Sequence, residues 1–282
     1  MTRRKTLKEL TIKDNFMFGA VMCDENNCRR LLELVLGFPI ERVEVSKEKS
    51  MIYHPEYKGV RLDVYAKDEN HTHYNVEMQA VAHAALGKRA RYYHSQMDMD
   101  LLVSGKEYVE LPNTYIIFIC DFDPFGLGKY RYTFKHMCCE SLGTYLEDGS
   151  ETVFLNTRGT NPEEVSTELE KFLKYVRADL AESMINYEDE FVEALQRSVH
   201  EIKQSRRMEE RYMLTELLMQ DERRAGRIEG RRESILEVLE EIGTVSDELR
   251  ERIVQEANMD QLKIWAKLAA RVDSIEQFME EM

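Results

Sequence analysis

Little in this 282-residue chain points to an oxidising compartment or to a membrane. Its five cysteines, at 23, 28, 120, 138 and 139, are an odd number without a C-x-x-C pair. That argues against a disulfide framework and a zinc ribbon, and leaves reduced, largely buried thiols. No run approaches the roughly 20 apolar residues that a bilayer crossing needs. The basic start, MTRRKTLKELTIK, lacks the apolar stretch of a signal peptide. A soluble, cytoplasmic protein with no membrane partner is expected. Neither G-x-x-x-x-G-K-[ST] nor G-x-S-x-G occurs, so P-loop nucleotide hydrolysis and nucleophile-elbow chemistry have no support. His71 and His73 form an H-x-H in a turn, without the spaced partners of a zinc site.

Positive charge is also scarce, the net charge being −14. The deficit is uneven: residues 1–158 carry only −2, while the last fifty residues carry −8. Binding to a polyanion therefore remains open for the first part of the chain, where Arg3, Arg4, Lys5, Lys8 and Lys13 and then Lys88, Arg89 and Arg91 form basic clusters. Such clusters are more often simply solvated.

The chain is organised around Gly59–Gln79. Val60, Leu62 and Val64, then Tyr74, Val76 and Met78, alternate with polar residues at period 2 around the turn Asp68–Thr72. This is a β-hairpin. If the turn centres on Asn70, Asp63 lies opposite Glu77 and Arg61 opposite Gln79. Two facing carboxylates repel unless a proton or a cation intervenes, and a hard dication bound through one or two carboxylates answers that need. A metal site on Asp63 and Glu77 is the expectation; two solvent-facing strand carboxylates are the alternative.

Asp63 followed by Glu77-Met78-Gln79 on a hairpin, behind an N-terminal helix, resembles the PD-(D/E)XK nuclease core. In particular it is similar to the recombination-promoting nuclease and transposase branch, in which glutamine replaces the third-motif lysine. Asp14-Asn15-Phe16-Met17-Phe18, Arg91-Tyr92-Tyr93 and the apolar run Thr114–Ile119 match that branch in order, and the likeness covers most of the first 180 residues. The resemblance implies an α/β (α+β) restriction-endonuclease-like core, a mixed sheet flanked by helices. It implies divalent-metal-dependent DNA phosphodiester cleavage, with Mg²⁺ or Mn²⁺ on Asp63 and Glu77 and with Gln79 orienting water or phosphate. Asp14 is either a helix cap or an extra acid near the metal. Either a second metal or Arg61, across the strand, replaces the lysine charge, or catalysis is slow; Arg91 and Tyr92 are candidate phosphate contacts, the alternative being a core tyrosine stripe with solvated arginines. The missing lysine also allows a catalytically inactive protein that binds DNA or a protein partner.

Along the rest of the chain, helices are expected over 13–36 and 82–103, a first strand over 41–53, a central strand over 114–122 and added strands near 130–136 and 152–155. Asp121 and Asp123 read as turn residues. Asn161-Pro162 reads as the start of a helix over 163–178. Three divisions follow: a nuclease-like domain over 1–180, a helical extension with an Arg/Gly-rich linker over 181–232, and a small acidic helical unit over 233–282. Arg223–Arg232 reads as a hinge or a DNA contact, and the last helices as a dimerisation or regulatory element, giving a homo-oligomer.

Overall fold

The fold is that of a computed structural model, which describes residues 5–51 and 60–282. Arg3 and Arg4 of the basic arm, and the Ile52–Tyr53 end of the expected first strand, lie outside the described residues. The chain forms two compact units, Met1–Met208 and Glu209–Met282.

In the first unit, α1 (Asn15–Met22) and α2 (Glu25–Leu36) together cover the helical stretch expected over 13–36, divided at Cys23–Asp24. Asp24 breaks them by capping α2, its side chain accepting from the Asn27 amide at 2.9 Å. Gly37 ends α2 in the left-handed region at φ 79°, which glycine alone adopts freely. Three strands follow: β1 (Val43–Met51), β2 (Val60–Asp68) and β3 (His73–Gln79). Helix α3 (Leu86–Leu101) then crosses to β4 (Thr114–Cys120), which is parallel to β3. A neighbouring parallel strand requires such a crossover, because a tight turn cannot reverse direction twice. Next come β5 (Arg131–Phe134) and β6 (Ser150–Asn156), and the sheet order is β1-β2-β3-β4-β6-β5. The sheet is mixed: β3, β4 and β6 run parallel, and β1, β2 and β5 are antiparallel to their neighbours. This is the α–β–β–β–α–β core expected from sequence, with β6 placed inside the edge strand β5.

Strands β3 and β4 are buried almost throughout, as central strands covered on two faces should be. On one face, Leu86, Ala90, Tyr93 and Met97 of α3 pack on Tyr65, Ile116, Phe118, Cys120 and Phe154. Phe118 is fully buried between the rings of Tyr93 and Phe154. Removing such a side chain costs about 3–5 kcal/mol. Tyr74, Val76 and Met78 point the other way, toward the side where α1 meets β1, β2 and β3.

Helix α4 (Thr167–Arg177) starts later than expected. Asn161-Pro162 opens only a 3-10 turn, and Ser166 caps the helix by accepting from the Leu169 amide at 3.2 Å. The Asn161 side chain is instead taken by the Tyr130 amide, at 2.8 Å. Helix α5 (Glu190–Gln204) buries Phe191, Leu195 and Val199 against α1, α2 and α4, so it belongs to the first unit. Helix α6 (Arg206–Ile242) runs without interruption through Arg223–Arg232. The expected hinge is therefore helical: each interior glycine costs only about 1 kcal/mol against alanine, which a long helix absorbs. In the second unit the C-terminal part of α6 packs with α7 (Asp247–Gln255), α8 (Met259–Ala269) and α9 (Ile275–Glu281) around Leu239, Ile253, Leu262, Trp265 and Phe278. Among the described residues, no helix is long and apolar enough to cross a membrane.

Candidate active site on the hairpin and the crossover helix

The hairpin has the register expected from its turn: Val64 pairs with Val76, Tyr65 with Asn75, Ala66 with Tyr74 and Lys67 with His73. Asp68 holds the turn by accepting from the Asn70 and Thr72 amides and from the Tyr74 hydroxyl. Beyond Val64 the ladder between β2 and β3 stops, whereas β2 stays paired with β1 to its end. At that fork the Asp63 amide donates to a side chain instead of to a strand: it reaches Glu77 Oε1 at 3.2 Å.

Asn75, Glu77 and Gln79 alternate along β3 with exposures of 0%, 0% and 5%, although all three are polar. Burying such groups is costly unless they are satisfied, so their partners matter. Glu77 Oε1 also accepts from Asn75 Nδ2 at 3.2 Å. Glu77 Oε2 accepts from Arg89 Nη2 at 2.8 Å, while Arg89 Nη1 donates to Gln79 Oε1 at 3.2 Å. Arg89 Nε donates to the Tyr93 hydroxyl, one helical turn on, at 2.7 Å. One guanidinium thus ties the acid and the amide of β3 to the tyrosine of α3.

The electrostatics show a shortage of positive charge. Burial, and then the charge of Asp63, push the Glu77 carboxyl up to about 8, and the opposing pull of Arg89 does not cancel them. The Tyr93 hydroxyl is raised as well, first by burial and then by the charge of Glu77, with Asp63 adding a smaller share. Asp63, Glu77, Arg89 and Tyr93 therefore share one neighbourhood. Asn75 Oδ1 adds a buried oxygen acceptor with no hydrogen-bond partner.

Two acids and an unsatisfied oxygen fit a hard dication of the Mg²⁺ kind, which takes one or two carboxylates and keeps water and phosphate as its other ligands. Among the described residues, no three His, Cys, Asp or Glu side chains gather into a fuller cage. The donor set therefore suits an open site better than a closed structural one.

The other candidates fall elsewhere. Asp14 Oδ2 accepts from the Thr11 amide at 2.7 Å and its other oxygen pairs with Lys5 at 2.8 Å. It closes the turn before α1 and makes no N-cap bond into the helix. Arg61 is exposed and its backbone pairs with Ser50 on β1, while the register between β2 and β3 reaches only to Val64 and Val76 and does not extend to Arg61 and Gln79. Arg91 is exposed on α3, and Tyr92 is half-buried against the core under that helix. Asp123 is a turn residue, accepting from the Phe125, Gly126 and Gly128 amides. Arg89 and Tyr93 complete the site; from sequence Arg89 is one of a basic cluster and Tyr93 one of the Arg91-Tyr92-Tyr93 match, and neither is placed beside the acids. Their signal was present: Arg89 lies three residues after Leu86 and four before Tyr93, a cation on the apolar stripe of an amphipathic helix.

A mixed sheet whose hairpin carries an acid on each of two adjacent strands, and whose crossover helix returns a cation to them, is the architecture of a restriction-endonuclease-like nuclease core. The chain belongs to the PD-(D/E)XK nuclease family transposases, whose family model matches residues 13–229. No curated protein and no solved structure matches it.

Proposed function

We propose that the protein is a divalent-metal-dependent DNA endonuclease of the transposase-related type, hydrolysing phosphodiester bonds at Asp63, Glu77 and Gln79. The observation that carries this reading is Glu77, fully buried and pushed up to about 8 beside Asp63. A carboxyl kept that short of positive charge takes a proton or a cation, and shifts of this size cluster at functional sites.

Asp63 and Glu77 would hold Mg²⁺ or Mn²⁺, which when bound polarises the scissile phosphate and lowers the pKa of a coordinated water. The protein's own groups do the positioning. Arg89 occupies the amide oxygen of Gln79 and so leaves the amide nitrogen of that side chain as the donor toward water or a phosphate oxygen. Glutamine offers only a dipole where a lysine would bring a charge, and Arg89 restores that charge from α3. This role was expected of Arg61. Tyr93 fixes the guanidinium through Nε, so its two remaining nitrogens face β3.

The deciding experiment is nicking of supercoiled plasmid in Mg²⁺ or Mn²⁺, with Asp63→Ala and Glu77→Ala in parallel. Wild type is expected to relax the plasmid and both variants to leave it supercoiled. Equal inertness of all three would replace the enzyme by a nuclease-fold module that binds DNA or a protein.

A further inference from the structure

A second cavity, of about 570 Å³, lies on the outer side of α3, between that helix and the β5–β6 edge of the sheet. Its volume and its mix of aromatic walls with a few polar groups are those of a small-molecule or base site. Phe125 and Phe134 line it with 40% and 47% of their surfaces exposed, each set edge-on to the buried ring of Phe154 at 5.1 and 5.7 Å. The loop that presents Phe125 is pinned, not slack. Asp123 takes the Gly128 amide at 2.7 Å, the Gly126 amide at 2.9 Å and the Tyr132 hydroxyl at 2.8 Å. Phe125 and Phe134 also contact one another at 5.0 Å, so their exposed surfaces form one apolar wall of the cavity.

The polar groups are equally specific. His94 is held between the Thr114 and Thr152 hydroxyls at 2.8 and 3.1 Å, and burial keeps it uncharged. Lys135 pairs with Glu151 at 2.7 Å, and His136 Nδ1 lies 2.6 Å from an Asp148 oxygen. That leaves exposed Arg91, which makes no ion pair among the described residues, as the open positive charge. Asp98 stands in the same wall, its carboxyl raised by burial and then by the charge of Asp148.

We propose that this cavity holds one unstacked nucleobase of the DNA strand being cut, with Phe125 and Phe134 as stacking surfaces and Arg91 on the adjoining phosphate. Position supports that occupant. Glu77 pairs with Phe118 and Phe118 with Phe154, so at about 4.8 Å per strand the cavity wall at Phe154 lies roughly 10 Å across the sheet from Glu77, and Ala90, Arg91 and His94 of the helix that carries Arg89 line the same cavity. At about 3.4 Å per nucleotide of strand, that is about three nucleotides from the proposed cleavage centre. The inference rests on the nuclease reading for its strand, and it adds a substrate class: single-stranded, frayed or mismatched DNA, whose bases leave the stack at little cost.

The test is binding in chelator, so that no cleavage is needed. Fluorescence of 2-aminopurine oligonucleotides is followed with wild type, Asp63→Ala and Phe125→Ala/Phe134→Ala, on single strands, matching duplex and an abasic strand of equal charge. Wild type and Asp63→Ala are expected to bind the base-bearing single strand about tenfold or more tighter than the abasic one, and the double variant to lose that preference. Equal binding of base-bearing and abasic strands by wild type overturns the proposal, as does an unchanged preference in a double variant that melts like wild type. Should the double variant not fold, the wild-type comparison decides alone. Nicking without base preference sinks the cavity and spares the nuclease, and base preference without nicking does the reverse.

Discussion

The core under α3 and the core of the C-terminal unit are built on opposite terms. Strand β3 buries all seven of its residues, and four of them, His73, Asn75, Glu77 and Gln79, are polar. The C-terminal cluster, from Ile235 to Phe278, buries apolar side chains only, and its one buried unpaired polar atom is the indole nitrogen of Trp265. Apolar burial is favourable by itself, whereas burying polar groups is tolerated only with partners and gains little stability. The first core therefore spends stability on chemistry and the second does not.

The sharpest way to break that contrast is to remove the acids. Asp63→Ala or Glu77→Ala is expected to lower plasmid nicking roughly 100-fold or more, the scale of losing a transition-state contact. An apolar deletion in the other core should do the reverse. Leu239→Ala, at a fully buried position, is expected to cost its unit about 2–5 kcal/mol in denaturant melts while nicking per folded molecule stays level. A fall in nicking there would merge the two cores functionally.

Arg89→Ala comes next, at about ten- to a hundredfold in nicking rate. Because Arg89 lowers the Glu77 pKa, its loss should also move the rising limb of the pH–rate profile to higher pH. A purely structural arginine would leave that limb in place.

The pH dependence of stability is a gentler test. The Glu77 carboxyl is raised from 4.5 to about 8 in the fold, so the stability it contributes is complete below 4.5 and is lost as pH rises through about 8. In chelator, melting temperature is expected to fall between about pH 4.5 and 8 for wild type and to stay flatter for Glu77→Gln. Stabilisation by Mg²⁺ should be larger at pH 8.5 than at 6. His73 and His94 act oppositely. Burial lowers both to about 4, so their contribution is present above 6.5 and is lost as pH falls through 4. The smallest effect belongs to Asp14→Asn, about 0.5–1 kcal/mol of stability through the turn before α1, with nicking unchanged.

Much of this was readable from residue order, and the failures have identifiable causes. Alternation in 60–79 and the turn at Asn70 set the hairpin register, and the apolar run 114–120 announced the central strand. Local patterns cannot report where a ladder ends, and so Arg61 was paired with a residue it does not meet. Nor can they report that β6 enters between β4 and β5, since that pairing is made by parts of the chain far apart. Arg89 was read only as one of a basic cluster, because a cation at the margin of an amphipathic stripe looks like a snorkelling surface residue until β3 is set beneath it. The Gly/Arg-rich stretch of α6 misled by composition, its neighbours being helix formers strong enough to carry two glycines.

All the groups of the proposed centre, from Asp63 to Tyr93, come from one uninterrupted piece of chain: a hairpin and the helix directly after it. A ribosome finishes the whole segment before the strand that will shelter it.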